Sequence, residues 1–338
     1  MKFDFAIGNP AYQDETTGEN KEFAPPIYHK FLDSAYEIAD KVEMVHPARF
    51  LFNAGRTPKA WNEKMLNDPH VKVSMYEPDA TKLFANTDIK GGVAITYRDT
   101  TKDFGTIGTF TAYPELNSII KKTTGTESLM DIIFIQNRFD LDALYGDHPE
   151  CKSSIGSNGK DSRFEKNIFE KIPLFTKTKK ADDIETTGIF NGKRTRRFIP
   201  QKYVDMKHEN IEKHKVIVPV ANGTGKFGEP LGGLEILGPH MAYTRSFVGI
   251  GKADSESEAK AILSYLKTKF ARTMLAVLKV TQMNNRDVWQ YVPLQDFTDK
   301  SDINWKTSIK NIDRQLYKKY NLTDEEIDFI ETHIKEME

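Results

Sequence analysis

The chain has 338 residues, of which 48 are basic and 49 acidic, so its formal net charge is -1. Its 21 Phe, 13 Tyr and 3 Trp supply enough apolar surface to offset the entropy of ordering, which excludes a disordered chain. The single cysteine, Cys151, excludes a disulfide framework and a cysteine-based zinc site. No apolar run reaches the roughly 20 residues that a membrane span needs, so we expect a globular cytoplasmic protein of two domains.

The first 125 residues alternate predicted strands and helices. FDFAI (3–7) predicts a buried parallel strand that runs into Gly8-Asn9-Pro10. The helix predicted after it has an apolar stripe of Ile27, Phe31, Ala35 and Ile38. The elements predicted next are a strand reaching Pro47, a helix over 61–66, a strand over 71–76 and two strands over 91–99 and 104–113. This alternation predicts an α/β layered domain.

From about residue 126 the pattern changes to strands among Gly-rich and charged loops. KVIVPV (215–220) and SFVGIG (246–251) predict strands, and Ser255 with Glu258 forms a capping box that opens one helix continuing to Val277. Two helices are predicted near the C-terminus, over 311–320 and 323–334. The second has a capping box of Thr323 and Glu326 and an apolar stripe of Ile327, Ile330 and Ile334.

Charge is unevenly distributed along the chain. Residues 1–150 carry a charge of -7, residues 151–280 a charge of +10 and residues 281–338 a charge of -4. Basic residues interleaved with Phe and Tyr suit a surface that neutralises phosphates and meets bases, with an ordinary solvated face as the alternative. The candidates for DNA contacts are Lys177, Lys179, Lys180, Lys193, Arg194, Arg196 and Arg197.

The sharpest local motif is Asn9-Pro10-Ala11-Tyr12, at the carboxyl end of the first predicted strand, where α/β sheets place their active sites. It resembles the N-P-P-Y signature of the amino-group DNA methyltransferases that make N6-methyladenine. The resemblance implies that the Asn9 side-chain oxygen and the Pro10 carbonyl accept hydrogen bonds from the adenine amine, while Tyr12 stacks on the flipped base. Ala11 replaces the second Pro, which predicts a less rigid loop. An ordinary Asn-Pro turn is the alternative.

The resemblance extends along the chain. VHPARFLFNAG (45–55), FANTDIKGGVAITYRD (84–99), FARTMLAVLKVTQ (270–282) and IDRQLYKKYNLTDEEIDFIE (312–331) are similar to adenine methylases of restriction-modification systems, of the type IIG kind. This implies an α/β fold: a partial Rossmann-like methyltransferase sheet over 1–125, an α+β target-recognition domain over 126–290 and C-terminal helices over 291–338. By the same resemblance Phe84 is a second aromatic against the base, with a core Phe as the alternative, whereas Pro47 and Arg49 have structural roles.

In that family the cofactor-binding half, with an F-x-G-x-G loop for S-adenosylmethionine, precedes the N-P-P-Y motif. Here eight residues precede Asn9, and neither downstream glycine pattern is a convincing replacement. Gly223–Gly228 fits G-x-G-x-x-G but lacks a following helix, and Phe247–Gly251 falls inside the recognition domain. We therefore expect either a truncated product or a partner polypeptide that supplies the cofactor half. Phe3–Ile7 would then be an open apolar edge.

The sequence thus predicts the catalytic-motif and target-recognition portion of a site-specific DNA adenine N6-methyltransferase. It would act on double-stranded DNA with S-adenosylmethionine and without a metal. The alternatives are a DNA-binding specificity module that does not methylate, and a pseudogene fragment. The eight histidines form no zinc-binding helix pattern, and the E-x-K matches at Glu19 and Glu258 are chance occurrences. The target sequence cannot be read from these residues.

Overall fold

A computed structural model describes residues 3–14, 24–52, 56–85, 89, 91–155, 162–279 and 282–337. The chain divides into two compact units, residues 1–117 and 118–338. Helices and several sheets occur together, which confirms the predicted mixed α/β class. The further division at residues 125 and 290 remains a prediction.

In the described part of the first unit, four strands form one sheet in the order β1-β2-β4-β3. Its elements are β1 (Phe3–Gly8), α1 (Tyr28–Ile38), β2 (Ala39–Pro47), α2 (Lys59–Asn67), β3 (Val71–Glu77) and β4 (Val93–Asp99), and α3 (Pro114–Thr123) spans the unit boundary. β1 pairs parallel with β2, whereas β4 is antiparallel to both β2 and β3. Strands β1, β2 and β3 therefore run in one direction.

One face of this sheet carries the core of the first unit. The buried residues of α1 are Tyr28, Leu32 and Ala35, which follow the helical period. The predicted stripe was wrong at Phe31 and Ile38, which are each 45% exposed, because the packed face is centred on Leu32. The core also includes Phe50, Trp61 and Met65.

β1 is a parallel strand, as predicted, but it is not buried. Phe3, Phe5 and Ile7 are 54%, 49% and 74% exposed, respectively. They alternate with Ala6, which packs against the cluster of Ala35, Ala39 and Val42. The prediction of a buried strand was wrong because β1 pairs with β2 alone within the described residues. Within the described residues the outer edge of β1 therefore has no strand partner, and it borders exposed apolar side chains.

The segment 104–113 was predicted to be a strand, and that prediction was wrong. Gly105 and Gly108 have positive φ angles of 72° and 60°, which interrupt an extended backbone. The N–H of Phe104 donates to the carbonyl of Pro69 at 2.7 Å, and that of Gly108 donates to Leu66 at 2.8 Å. The segment is thus a loop that closes over the end of α2 instead of adding to the sheet.

The second unit contains two sheets and a group of helices. The three-stranded sheet has the order β10-β6-β7 and the four-stranded sheet the order β5-β11-β8-β9. The strands are β5 (Ile133–Phe134), β6 (Asp183–Phe190), β7 (Lys193–Pro200), β8 (His214–Pro219), β9 (Glu235–Leu237), β10 (Met241–Tyr243) and β11 (Phe247–Ala253). The helices are α4 (Leu141–Asp147), α5 (Cys151–Ile155), α6 (Ile168–Lys171), α7 (Glu256–Lys267), α8 (Lys269–Ala276), α9 (Ile309–Lys319) and α10 (Asp324–His333). No helix in the described ranges has the length and apolarity to cross a membrane.

The helix predicted from Ser255 to Val277 is interrupted at Thr268, so the prediction of one continuous helix was wrong. Thr268 has an extended ψ of 148°, and its side chain caps α8 by accepting from the N–H of Ala271. The buried Asp313 carboxylate accepts from the N–H groups of Lys269 and Phe270 at 3.0 and 2.9 Å. A carboxylate from α9 thus satisfies the first turn of α8, which local sequence cannot reveal.

The predicted start of α10 is confirmed. Thr323 and Glu326 form the reciprocal capping box, and Glu326 is almost fully buried. The Glu326 carboxylate also accepts from the ammonium of Lys122 at 2.6 Å. This pair ties the start of α10 to the end of α3 within the second unit.

Gly92 generates a stability prediction for the first unit. It has a φ of 78°, and a Cβ there would lie 2.4 Å from the Glu77 carbonyl oxygen. Gly92→Ala is therefore expected to destabilise the unit by about 2 kcal/mol or more, through backbone strain and a clash with backbone. Thermal unfolding measures the loss. Gly105→Ala is the matched control, because Gly105 also has a positive φ but faces open space; an equal loss in both variants would contradict the argument.

Asp313 generates a pH prediction for the second unit. Burial raises the pKa of Asp313 to about 6, although hydrogen bonds from Phe270 and Lys269 counteract it. The folded state then binds this proton more tightly than the unfolded state, so its contribution is present below about pH 4 and is lost as the pH rises through about 6. Compared with Asp313→Asn, the unaltered chain should lose on the order of 1 to 3 kcal/mol between pH 4 and 7. Urea unfolding at each pH tests this, and a constant difference would refute it.

Candidate active site and nucleic-acid interface

The carboxyl ends of β1, β2 and β3 meet at one edge of the first unit's sheet. Gly8 of β1 is level with Met44 of β2, and both Pro47 and Glu77 lie opposite Val93 of β4. The segments that follow these strands therefore gather along the edge where α/β sheets bind ligands. They are the loop 9–14, the 3-10 turn Ala48–Phe52 and the turn at 78–85.

Backbone pairing fixes the loop that carries the Asn-Pro-Ala-Tyr motif. The Tyr12 carbonyl accepts from the N–H of Ile27 at 3.1 Å, and the N–H of Asp14 donates to Pro25 at 3.0 Å. These bonds anchor the loop to the chain just before α1. Ala11 itself is exposed.

The three motif side chains differ in exposure. Asn9 is exposed, Pro10 is half-buried, and no described group donates to the Pro10 carbonyl. Tyr12 is half-buried and packs against the core cluster that includes Trp61. Its hydroxyl is buried without a partner at hydrogen-bonding geometry. Burial raises the pKa of Tyr12, and the neighbouring Asn9 side chain partly counteracts this. The acceptor groups and the aromatic ring are therefore side by side.

Phe84 lies in the turn after β3, on the same edge of the sheet. It is half-buried, and its N–H donates to the carbonyl of Ala80 at 2.9 Å. Asp79 caps the short 3-10 turn before it by accepting from the N–H of Thr81 at 3.1 Å. The turn is locally well defined, and a contact of Phe84 with a target base remains a prediction.

Packed side chains build the end of β2. His46 is fully buried, and its ring nitrogens lie 2.8 Å from the Thr96 hydroxyl and 3.1 Å from the Pro47 carbonyl. Burial lowers the pKa of His46 to about 4, so the ring is neutral at pH 7. It stacks on Tyr28 at 5.7 Å between ring centroids. Pro47 is buried beside it and Arg49 packs over Gly91, in agreement with structural roles.

An aromatic trio at the same edge was missed by the sequence analysis. Phe52, Tyr76 and Phe110 pack edge to face, with ring centroids 5.5 to 5.6 Å apart. Phe52 is 37% exposed, and the Tyr76 hydroxyl donates to the Gly91 carbonyl at 3.3 Å. Tyr76 lies at the end of β3, and Phe52 lies in the turn that follows β2. An aromatic residue at or after a strand end is the sequence signal that could have identified these two. The third, Phe110, lies in the segment wrongly predicted to be a strand.

In the second unit the structure brings the two basic stretches together. Thr176 exchanges two backbone hydrogen bonds with Phe198 of β7, at 2.8 and 3.0 Å. Lys177 follows Thr176, and Arg197 precedes Phe198, so the stretches run side by side. Lys177, Lys179 and Lys180 are all exposed.

The β6-β7 hairpin has a tight turn at Asn191-Gly192, where both residues have positive φ, as the favoured two-residue hairpin turns require. Lys193 follows the turn and is exposed.

Two of the arginines predicted to contact DNA form ion pairs with carboxylates. Arg194 pairs with Glu235 at 2.7 Å, and Arg196 pairs with Glu185 at 3.0 Å and with Glu235. Arg197 stacks over Phe190, with its guanidinium carbon 5.4 Å from the ring centroid. The sequence did not reveal these pairs, because Glu235 lies about 40 residues away on β9. Charge density along the chain therefore overstates the free positive charge of this hairpin.

The loop with the literal G-x-G-x-x-G pattern, Gly223–Gly228, binds a carboxylate of the protein itself. Glu229 accepts from the N–H groups of Thr224 and Gly225, both at 2.8 Å, and pairs with Lys279 at 2.9 Å. Desolvation raises the pKa of Glu229, but these hydrogen bonds lower it by more, so that it falls to about 2. A Cβ at Gly223 would collide with the same carboxylate. The loop is therefore an internal cap and not a phosphate cradle.

The literal F-x-G-x-G pattern also has a packing role. Gly249 lies inside β11, where a Cβ would come 2.3 Å from the Tyr243 hydroxyl. Gly251 has a φ of 89°, and a Cβ there would meet Ile262. These glycines accommodate side chains of the core. Neither pattern forms a strand-loop-helix cofactor site in the described part of the chain.

Residues 1–84 match the sequence model of the Eco57I restriction-modification methylase family. No curated protein sequence matches the chain. Solved structures with similar coordinates include the Type IIL restriction-modification enzyme MmeI in complex with DNA, at 8% identity and a TM-score of 0.39, covering 97% of this chain and 56% of MmeI. They also include the type IIG restriction endonuclease BpuSI, at 11% identity and a TM-score of 0.32, covering 90% of this chain and 49% of BpuSI.

The chain therefore spans about half the length of these two proteins. The matched segment 1–84 contains β1, the motif loop, α1, β2 and β3, so the family pattern and the sheet edge described above coincide. The resemblance to restriction-modification methylases inferred from Asn9-Pro10-Ala11-Tyr12 is thus confirmed for residues 1–84.

Proposed function

We propose that this chain is the catalytic-motif and target-recognition portion of a DNA adenine N6-methyltransferase of a restriction-modification system, acting in the cytoplasm. The observation that carries the proposal is the position of the Asn9–Tyr12 loop. It follows a parallel strand at the carboxyl edge of the sheet, within the segment that matches the methylase family. The reaction class and the adenine target belong to this proposal.

The chemistry of an exocyclic amine explains the loop. Its nitrogen is a weak nucleophile, because the lone pair is delocalised into the adenine ring. Two acceptors that each bind one amine hydrogen favour a geometry in which that lone pair points at the methyl carbon. In the proposed reaction the Asn9 side-chain oxygen and the Pro10 carbonyl accept these two hydrogen bonds. Tyr12, anchored against the core, offers a ring on which an extruded base can stack.

The described residues do not fit S-adenosylmethionine, the methyl donor of such a reaction. Both glycine patterns of the second unit serve packing or bind Glu229. The proposal therefore assigns the cofactor to a polypeptide segment outside the described residues. No step through the cofactor is derived from this chain.

The outer edge of β1 is the proposed docking place of that segment. Parallel strands are normally covered on both faces by the helices that connect them. Among the described residues β1 has a strand partner on one side only, and Phe3, Phe5 and Ile7 project from one exposed face. A segment that adds a parallel strand to β1, with its connecting helix, would pair the free N–H and C=O groups and cover these three side chains. It would also end beside Asn9, where the methyl donor is needed.

The second unit is the proposed DNA-recognition part. Lys177, Lys179, Lys180 and Lys193 are exposed and suit phosphate contacts. Arg194 and Arg196 are held in fixed directions by Glu235 and Glu185, which suits contact with base edges more than loose attraction to phosphate. The adjacent basic stretches support duplex DNA as the partner.

A DNA-binding specificity module without methylation activity is the second candidate. Ala11 in place of the second Pro of the motif and the lack of a cofactor site among the described residues favour it. The two candidates differ in one outcome, the appearance of methylated adenine in DNA.

Asn9 should be essential for methylation but not for DNA binding. The chain is expressed with the genomic segment directly upstream of its reading frame, in a host without adenine methylases, and N6-methyladenine is read by sequencing. Asn9→Ala should lower methylation about a hundredfold or more, because one of two amine acceptors is lost. Tyr12→Ala should also lower it strongly, whereas Tyr12→Phe keeps the stacking ring and retains most activity. Asn67→Ala, an exposed Asn of the same unit, is the control. Unchanged methylation in Asn9→Ala would overturn the proposed role, and no methylation in any sample would favour the specificity module.

The purified chain should not bind S-adenosylmethionine by itself. Isothermal titration at up to millimolar ligand is expected to give no saturable heat, because the described residues hold no cofactor site. Tight, saturable binding would refute the assignment of the cofactor to another segment.

A further inference from the structure

A row of basic residues on α9 is distinct from the basic hairpin. Lys310, Arg314 and Lys318 are four residues apart, so they lie on one face of the helix with a rise of about 6 Å between neighbours. All three are exposed. They line one side of a groove of about 590 Å³ between α9 and α10, whose other lining residues include Tyr317, Asn321 and Ile327.

The charges of this row are not held in direct ion pairs. Within the described residues, none of the three forms an ion pair, and Arg314 donates to the Asn311 side-chain oxygen at 3.3 Å. Glu331 is the one carboxylate lining the groove. It pairs with Lys269 at 2.7 Å and accepts from the Tyr317 hydroxyl at 2.9 Å. Burial would raise the pKa of Glu331, but the bonds from Lys269 and Tyr317 and the nearby charge of Lys310 lower it. Lys269 is therefore its direct partner, and Lys310 acts on it only at longer range.

The basic residues of β7 and those of α9 differ in whether they form ion pairs. Arg194 and Arg196 belong to the densest basic stretch of the sequence, but each has a carboxylate partner at 2.7 or 3.0 Å. The α9 row lies in the segment 281–338, whose net charge is -4, so composition hides it. A regular row of unpaired cations on a rigid helix is suited to successive phosphates along one strand of a nucleic acid.

We propose that Lys310, Arg314 and Lys318 bind the sugar-phosphate backbone of duplex DNA and form a sequence-independent contact in addition to the β6-β7 hairpin. The proposal rests on the proposed function for the choice of DNA as the partner. A contact of this kind positions the duplex and adds affinity without reading bases. Rigidity matters here, because α9 is held by Ile312 and Leu316 in the core and by the Asp313 cap on α8.

The test compares two triple variants of the full chain. K310Q/R314Q/K318Q removes the α9 row, and K202Q/K252Q/K260Q removes three exposed lysines that pair with Asp147, Glu209 and Glu256, respectively. Binding to a 30-base-pair duplex of scrambled sequence is measured by fluorescence anisotropy at several salt concentrations. The α9 variant should bind about tenfold or more weakly at low salt, and its slope of log affinity against log salt should fall by about 2 to 3, since each phosphate contact contributes about 0.9. The control should stay close to the unaltered chain.

The outcomes separate this inference from the proposed function. If the unaltered chain binds the duplex and both triple variants have the same slope, the α9 contact is refuted and DNA recognition by the chain stands. If the unaltered chain binds no duplex at all, both the inference and the proposed DNA-directed function are overturned. Thermal unfolding of the α9 variant should match that of the control variant, because all six changed side chains are exposed.

Discussion

The parallel pairing of β1 with β2 is the constraint on which the first unit depends. It sets Gly8 level with Met44 and makes the loop after β1 emerge at the same edge as the turns after β2 and β3. The hydrogen bonds to Pro25 and Ile27 then hold the loop against the start of α1. A register slip of one residue would move Ala6 out of the core and turn Phe5 into it. The position of Asn9 is therefore a consequence of sheet register as much as of the motif.

The same pairing leaves the outer edge of β1 without a strand partner within the described residues. A parallel strand with one partner leaves a row of backbone donors and acceptors unpaired, and here that row borders three exposed apolar side chains. Proteins usually cover or blunt such an edge. In the proposed function the segment that covers it also brings the methyl donor, so assembly and activity would be one event. An uncovered β1 would then correspond to a chain that recognises DNA without modifying it.

The sequence predicted most elements of the fold and the motif loop, and its errors have physical causes. The segment 104–113 has the composition of a strand, but Gly105 and Gly108 adopt positive φ and bond to the end of α2. The helix expected from Ser255 breaks at Thr268, because Asp313, distant in sequence, satisfies the first N–H groups of α8. The aromatic trio at the sheet edge joins Phe52, Tyr76 and Phe110 from three separate segments. Each depends on tertiary contacts that local patterns do not contain.

The density of basic residues in the sequence does not show which of their charges are paired in the structure. A run of basic residues attracts phosphate only to the extent that its cations lack nearer anions, and ion pairs at about 3 Å outweigh attraction to a phosphate at longer range in water. On β7 such pairs convert Arg194 and Arg196 from free charges into oriented donors. On α9, within an acidic stretch of sequence, three cations form no ion pair with a carboxylate of the described residues. In the proposed function, the two sets would divide the work on DNA: the paired arginines have a fixed direction that suits base contacts, and the α9 cations attract phosphates.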